Sequence, residues 1–136
     1  MSGKRKLLAI VELGGYPNFT RLYQSCGYDV TMEHSMRKAM NIVRKVVPDT
    51  IVAEFNYQSD FRDRTSSLES LLATVDRLTQ TSDKKIQVLV FYEKEYQHQL
   101  AKLQTMFKKF SVLPYPVDEN SLKQQIGCHE LDGLPA

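Results

Sequence analysis

The sequence predicts one α/β domain with a doubly wound parallel sheet, five strands in the order 2-1-3-4-5 and helices on both faces. Three observations lead to this prediction. Short apolar runs alternate with segments whose apolar residues recur every three or four positions, as strands and helices do. Right-handed connections between such strands require a parallel sheet. The length of 136 residues suits a single domain with a buried core.

The strands are predicted from runs of apolar and β-branched residues. Residues 7–11, 50–55 and 86–91 are almost continuously apolar, which favours strands buried on both faces of the sheet. Residues 28–32 alternate apolar and polar side chains, which is typical of a strand at the edge. Residues 111–113 supply a short fifth strand.

Helices are predicted between and after the strands. They cover approximately residues 17–27, 35–46, 66–78, 96–107 and 118–126. Pro48 ends the second of them, because proline disfavours the α conformation in the residue before it. Asp118 or Asn120 caps the last helix. We expect residues 1–126 to form the domain and residues 127–136 to form a flexible tail or linker.

Composition excludes several classes of function. A net charge of +2 does not favour direct binding to nucleic acid or to a membrane surface. The apolar run of residues 7–11 is too short for a signal peptide, and no stretch reaches membrane-spanning length. Cys26 and Cys128 lack metal or redox spacing, so we expect reduced thiols, no metal and no cofactor. The protein is therefore predicted to be cytoplasmic.

Residues 8–12, 48–54 and 113–118 resemble, in order and spacing, three stretches of response-regulator receiver domains (CheY-like domains with a flavodoxin-like fold). The first is similar to strand one and its acidic end, the second to the "PDlIllD" phosphoacceptor strand, and the third to the "lxKPfd" stretch of strand five. Residues 27–30 also resemble the "GyeV" entry to strand two. The resemblance extends over residues 6–126 and implies the same fold.

Receivers accept a phosphoryl group on an aspartate, beside an acidic pair that holds Mg²⁺, a hydroxyl on strand four and a lysine on strand five. In this chain the resemblance places Glu54 at the phosphoacceptor position and Glu12 in the acidic pair. Tyr92 stands for the hydroxyl and Tyr115 for the lysine, and the following Pro116 allows a cis peptide bond. Every functional position departs from the family pattern.

These departures argue against phosphorylation. Phosphoryl transfer depends on positioning and on charge neutralisation by metal and cation. Glu54 moves the attacking oxygen by one methylene, and a displacement of ~1 Å can cost about a hundredfold in rate. Tyr115 supplies no positive charge. Glu54 is then either a partial mimic of a phosphorylated residue or simply a polar residue kept near water at a strand end, and we prefer the second interpretation.

The resemblance implies a pseudo-receiver, a non-catalytic module for protein–protein interaction in signal transduction of the two-component type. Its partner is another protein or a second copy of the chain. The contact surface expected by resemblance lies on helix four, strand five and helix five. It includes Tyr96, His98, Lys102, Tyr115 and Lys123.

Two alternatives remain. One is a working receiver that takes a phosphoryl group from a donor. The other is a small-ligand sensor whose pocket at the strand ends is lined by Glu12, Glu54, Tyr92 and Tyr115. The charged residues 56–65 either cover this pocket, form a contact surface or make a solvated loop.

Overall fold

The computed structural model describes residues 5–11, 19–55, 65–81, 85–107 and 110–127. Its sheet has five parallel strands in the order β2-β1-β3-β4-β5, which confirms the predicted topology. The strands are β1 (Arg5–Ile10), β2 (Tyr28–Glu33), β3 (Thr50–Glu54), β4 (Gln87–Tyr92) and β5 (Phe110–Pro114).

The predicted character of the strands is confirmed. β3 is buried along its whole length and β4 is buried from its second residue onward, as continuous apolar runs require. β2 lies at one edge of the sheet and is only partly buried. β5 lies at the other edge, where Leu113 is its one buried residue.

The helices occupy the predicted segments. They are α1 (Thr20–Ser25), α2 (Met36–Val46), α3 (Thr65–Thr81), α4 (Gln97–Met106), preceded by a 3₁₀ turn at Lys94–Tyr96, and α5 (Glu119–Gln125). The Ser35 side chain accepts a hydrogen bond from the Lys38 backbone N–H and so caps α2. Asp118 rather than Asn120 caps α5, because its carboxylate accepts the Ser121 backbone N–H at 3.0 Å.

Two apolar cores lie on opposite faces of the sheet. Helices α2, α3 and α4 cover one face, with Val43, Leu71 and Leu100 among the buried side chains. Helices α1 and α5 cover the other face, with Tyr23 and Leu122 against the strands. The strands supply alternate residues to the two cores, as the period of two requires.

Three side chains join the end of α5 to the start of the sheet. The Tyr28 hydroxyl donates to the Ile126 carbonyl at 2.5 Å. The Arg5 guanidinium donates to the Gly127 carbonyl at 3.0 Å and lies 4.4 Å from the centre of the Tyr28 ring. The Gln87 side-chain amide donates to the Gln125 carbonyl. The last carbonyls of α5 are therefore satisfied from β1, β2 and β4.

One sequence expectation is wrong. Cys26 is buried at the end of α1 and is disulfide-bonded, and the described part of the chain contains no free cysteine. The expectation of reduced thiols rested on a cytosolic location and on the spacing of the two cysteines, and spacing cannot show their distance in the fold. Cys128, the other cysteine of the sequence, lies outside the described residues.

Several expectations fall outside the described residues. Residues 56–64 belong to the charged segment whose role was left open, and residues 128–136 belong to the predicted tail. The limits of the domain at residues 1–126 stay a prediction. Within the described ranges, no helix has the length and apolar character needed to cross a membrane.

Candidate functional site

Glu54 is the last residue of β3 and lies at the carboxyl edge of the sheet, where open α/β folds bind their ligands. β3 is the central strand, and Glu54 is in register with Phe91 of β4. Only 6% of Glu54 is exposed, so the expectation that this carboxylate stays near water is wrong. Side chains from other elements surround Glu54, and spacing along the sequence does not show which residues these are.

The side chain of Glu54 lies on the face of the sheet that α1 and α5 cover. Val52 and Phe91 belong to the core on that face, and side chains of a strand alternate between faces. Tyr92, one position after Phe91, is 8% exposed and packs in the core on the opposite face. Tyr92 is the residue that the resemblance places at the hydroxyl position, and Phe91 is the β4 residue on the Glu54 side.

A cavity of about 140 Å³ adjoins Glu54. The ends of β1, β2 and β3 form its wall, together with β4 and the first part of α1. Its lining residues are Ala9, Ile10, Val11, Phe19, Tyr23, Met32, His34, Val52, Ala53, Glu54 and Phe91. Tyr92 and Tyr115 are not among them, which corrects the ligand-sensor alternative: a pocket exists, but it is lined differently.

Glu54 and Tyr23 give this cavity its electrostatic character. Burial raises the pKa of the Tyr23 hydroxyl, and the negative charge of Glu54 raises it further. Tyr23 therefore stays a neutral hydrogen-bond donor across the physiological range. The imidazole Nδ1 of His34 lies 2.9 Å from the Val11 carbonyl oxygen and fixes the exposed ring at the cavity mouth.

Tyr115 follows β5 and precedes a cis peptide bond to Pro116, the geometry that the sequence allows. The backbone N–H of Tyr115 donates to the Tyr92 carbonyl at 2.7 Å and so continues the pairing of β5 with β4. The Tyr115 side chain is 40% exposed. It presents an aromatic surface to solvent and does not line the Glu54 cavity.

The residues of the expected interaction face lie on α4, on the 3₁₀ turn before it, after β5 and on α5. His98 and Lys102 are exposed on α4, and Lys123 is half-buried on α5. A hydrogen bond to Glu95, together with the charge of that carboxylate, raises the pKa of the Tyr96 hydroxyl. The face therefore combines aromatic rings with charges of both signs.

Glu12 lies outside the described residues, so its distance from Glu54 stays a prediction. Within the described ranges, no group of three or more His, Cys, Asp or Glu side chains is arranged to hold a metal ion.

Sequence reasoning missed most residues that surround Glu54. Phe19 and Tyr23 were assigned only to the predicted helix at residues 17–27, and His34 lies between the predicted strand at residues 28–32 and the predicted helix at residues 35–46. Met32 and Phe91 were assigned only to strands. Counting alternate residues back from the ends of β3 and β4 would have indicated Phe91, provided that the register of the two strands was known.

The sheet order and the acid at the end of its central strand define a flavodoxin-like α/β fold with a candidate site at the carboxyl edge. No protein-family model matches the chain, and no curated protein matches it.

Solved structures of receiver domains share the fold. The signal receiver domain of an HD domain-containing protein from Pseudomonas fluorescens Pf-5 is 14% identical, with a TM-score of 0.66 and coverage of 93% of this chain and 95% of that chain. A chemotaxis response regulator of Vibrio cholerae is 17% identical, with a TM-score of 0.63 and coverage of 91% and 97%. A response regulator protein from Burkholderia multivorans is 21% identical, with a TM-score of 0.64 and coverage of 98% of each chain. At these identities the likeness shows the fold.

Proposed function

We propose that the chain is a pseudo-receiver: a non-catalytic module that binds another protein in signal transduction and is not regulated by aspartyl phosphorylation. The observation that carries this proposal is the surroundings of Glu54. An acid that receives a phosphoryl group needs access to the donor, a hydrated Mg²⁺ and a nearby cation. Glu54 is instead 6% exposed, and it borders a cavity whose described lining residues are mostly apolar.

The two tyrosines support the same proposal. Tyr92 packs in the core on the opposite face of the sheet from Glu54, and it is not among the described residues that line the cavity beside that carboxylate. Tyr115 carries no charge and extends to solvent. Both placements support the proposal that the hydroxyl and lysine functions of receivers are lost at these two positions.

Phosphorylation is tested by incubating the full chain with acetyl phosphate and Mg²⁺ and measuring its intact mass. We expect the mass to stay unchanged. A response regulator known to be phosphorylated by small donors serves as the positive control in the same reaction. An added phosphoryl group on the native chain that disappears in the Glu54→Gln variant would establish the alternative, a phosphorylatable receiver.

We propose the β5 edge of the domain as the interaction face, with Tyr96, His98, Lys102, Tyr115 and Lys123 as contact residues. Aromatic groups with mixed charge are typical of recognition surfaces. Met106 adds a largely exposed apolar side chain at the end of α4. The partner is a protein, either a different chain or a second copy.

Charge reversal on α4 tests this face. Lys102→Glu should weaken binding to proteins captured from the native cell, or dissociate a dimer in light scattering at high concentration. Lys38→Glu is the matched control, because Lys38 is an exposed lysine on α2, away from the β5 edge. If both variants bind as well as the native chain, the β5 edge is not the interaction face.

We also propose a cytoplasmic location, with residues 1–126 as the domain and residues 127–136 as a tail or linker. The disulfide at Cys26 weighs against a reducing compartment, because structural disulfides are rare in cytosolic proteins. Cell fractionation with immediate trapping of thiols shows whether the chain lies in the cytoplasm and whether its cysteines are oxidised there. Recovery of the oxidised chain outside the cytoplasm would overturn the proposed location.

A further inference from the structure

A second cavity lies at the amino edge of the sheet, the edge opposite to the one that Glu54 occupies. Its volume is about 340 Å³, and small-molecule sites range over about 300–1,000 Å³. We call it the amino-edge cavity. It lies between α3, the end of α4 and the first residues of β4 and β5.

The walls of the amino-edge cavity are largely apolar. Four of its lining residues are buried in the core beneath α3 and α4, and two aromatic rings pack against that core while half-buried: Leu72, Val75, Ile86, Val88, Phe107 and Phe110. An apolar protein cavity of about 150 Å³ accommodates benzene. The amino-edge cavity therefore has room for an aromatic ring or a branched aliphatic group together with a polar head.

Three polar side chains also line the cavity: Asp76, Thr79 and Lys85. Asp76 and Thr79 are three residues apart on α3, so they are neighbours on the surface of that helix. The Thr79 hydroxyl donates to the Val75 carbonyl at 2.9 Å, so its oxygen acts as an acceptor toward a ligand. Lys85 is exposed and supplies a positive charge just before β4. The cavity thus presents two acceptors from α3 and one cationic donor from the start of β4.

These polar groups favour a ligand that carries both signs of charge. A ligand with only a carboxylate would be attracted by Lys85 and repelled by Asp76, and a ligand with only an ammonium group would meet the reverse. A purely apolar ligand would contact the walls and gain nothing from the polar groups. An α-amino acid has a carboxylate, an ammonium group and a side chain on one carbon atom, so it can satisfy both charges and the walls together.

We propose that the amino-edge cavity binds a free α-amino acid with an apolar side chain. The ammonium group of the ligand donates to the Asp76 carboxylate and to the Thr79 hydroxyl oxygen. Its carboxylate accepts from the Lys85 ammonium group, and its side chain lies against the rings of Phe107 and Phe110. This inference goes beyond the proposed protein-binding function and does not depend on it.

The test uses the full chain and three probes of nearly the same shape. L-phenylalanine carries both charges, 2-phenylethylamine lacks the carboxylate and 3-phenylpropanoate lacks the ammonium group. Binding is followed by the methyl NMR signals of Leu72, Val75, Ile86 and Val88, which line the cavity. We expect L-phenylalanine to shift these signals and to bind at least about fivefold more tightly than either of the other probes, a difference of ~1 kcal/mol.

Substitutions at the two charges assign each part of the ligand. Lys85→Met keeps the apolar stem of the side chain and should abolish the preference for L-phenylalanine over 2-phenylethylamine. Asp76→Asn should abolish the preference over 3-phenylpropanoate. The matched controls are Lys94→Met, at an exposed lysine of the 3₁₀ turn, and Asp29→Asn, at an exposed acid of β2, and both should keep the two preferences.

The three probes on the native chain decide the proposal even if a variant does not fold. Equal affinity for the three probes would overturn it. So would the absence of methyl shifts at about 10 mM L-phenylalanine, ten times a millimolar Kd. A folded Lys85→Met variant that still prefers L-phenylalanine over 2-phenylethylamine would contradict the assignment of the ligand carboxylate to Lys85.

Discussion

The Tyr28 hydroxyl joins the edge strand β2 to the end of α5, and its removal gives a sharp test of the packing. Tyr28 is 1% exposed. Its hydroxyl donates to the Ile126 carbonyl at 2.5 Å and lies 3.1 Å from the Thr50 hydroxyl. Tyr28→Phe keeps the ring, its apolar contacts and its position beneath the Arg5 guanidinium, so the change isolates the hydroxyl group.

The expected cost follows from the groups left behind. A buried carbonyl that loses its donor costs about 1–3 kcal/mol, and loss of a typical hydrogen bond costs about 0.5–1.5 kcal/mol. Because the Thr50 hydroxyl can turn toward another acceptor, we expect a total of about 2 kcal/mol in the free energy of unfolding. For a domain of this length, that lowers Tm by roughly 6–10 °C.

Urea denaturation followed by circular dichroism measures this loss, and an unchanged m-value shows that the unfolding reaction is the same. Tyr115→Phe is the matched control; since Tyr115 is exposed, its effect should stay within about 0.5 kcal/mol. Thr50→Val combined with Tyr28→Phe should cost less than the sum of the two single changes, because they share one hydrogen bond. A loss for Tyr28→Phe no larger than that for Tyr115→Phe would refute the reasoning.

Three further predictions use other parts of the structure. Burial and the Glu54 charge raise the pKa of the Tyr23 hydroxyl. Above pH ~10 the unfolded chain therefore loses the hydroxyl proton while the folded chain keeps it. The free energy of unfolding should fall in this pH range by up to about 1.4 kcal/mol per pH unit. Urea titrations at rising pH should show a steeper fall for the native chain than for Tyr23→Phe, and parallel curves would contradict the assignment. Asp118→Ala removes the cap of α5 and should cost about 1 kcal/mol, whereas Asn120→Ala, a change outside the cap position, should cost less; equal losses in urea would argue against the cap. Cys26 should resist alkylation in the denatured chain until a reductant is added, and mass spectrometry that finds it modified without reductant would exclude the disulfide.

The sequence contained most of the fold because the strands differ in their apolar patterns. β3 and β4 are continuous apolar runs, and only the interior of a parallel sheet buries both faces of a strand. Strand ends were less predictable. Arg5 belongs to β1 because it pairs with Tyr28 of β2. This backbone pairing extends beyond the apolar run that identified the strand. Phe110 extends β5 in the same way, opposite Val88.

The site was predictable in position but not in environment. The place of Glu54 follows from the strand that it ends, which local sequence determines. Its surroundings include Phe19 and Phe91, which come from elements distant in sequence. The face on which Tyr92 lies depends on register, because a shift of one residue along a strand moves a side chain to the other face of the sheet. A single sequence gives strand positions to within a residue or two, and that error is enough to misplace a site residue.

The separation of the two faces bears on how the Glu54 site relates to the proposed interaction face. Glu54, its cavity and α1 lie on one face of the sheet, and α4 with His98 and Lys102 covers the other. Tyr92, the residue that the resemblance would use to connect them, faces α4 and not the cavity. Phe91 and Tyr92 are neighbours in β4 and lie on opposite faces of the sheet, so within the described residues the backbone of this strand joins the Glu54 side to the α4 side.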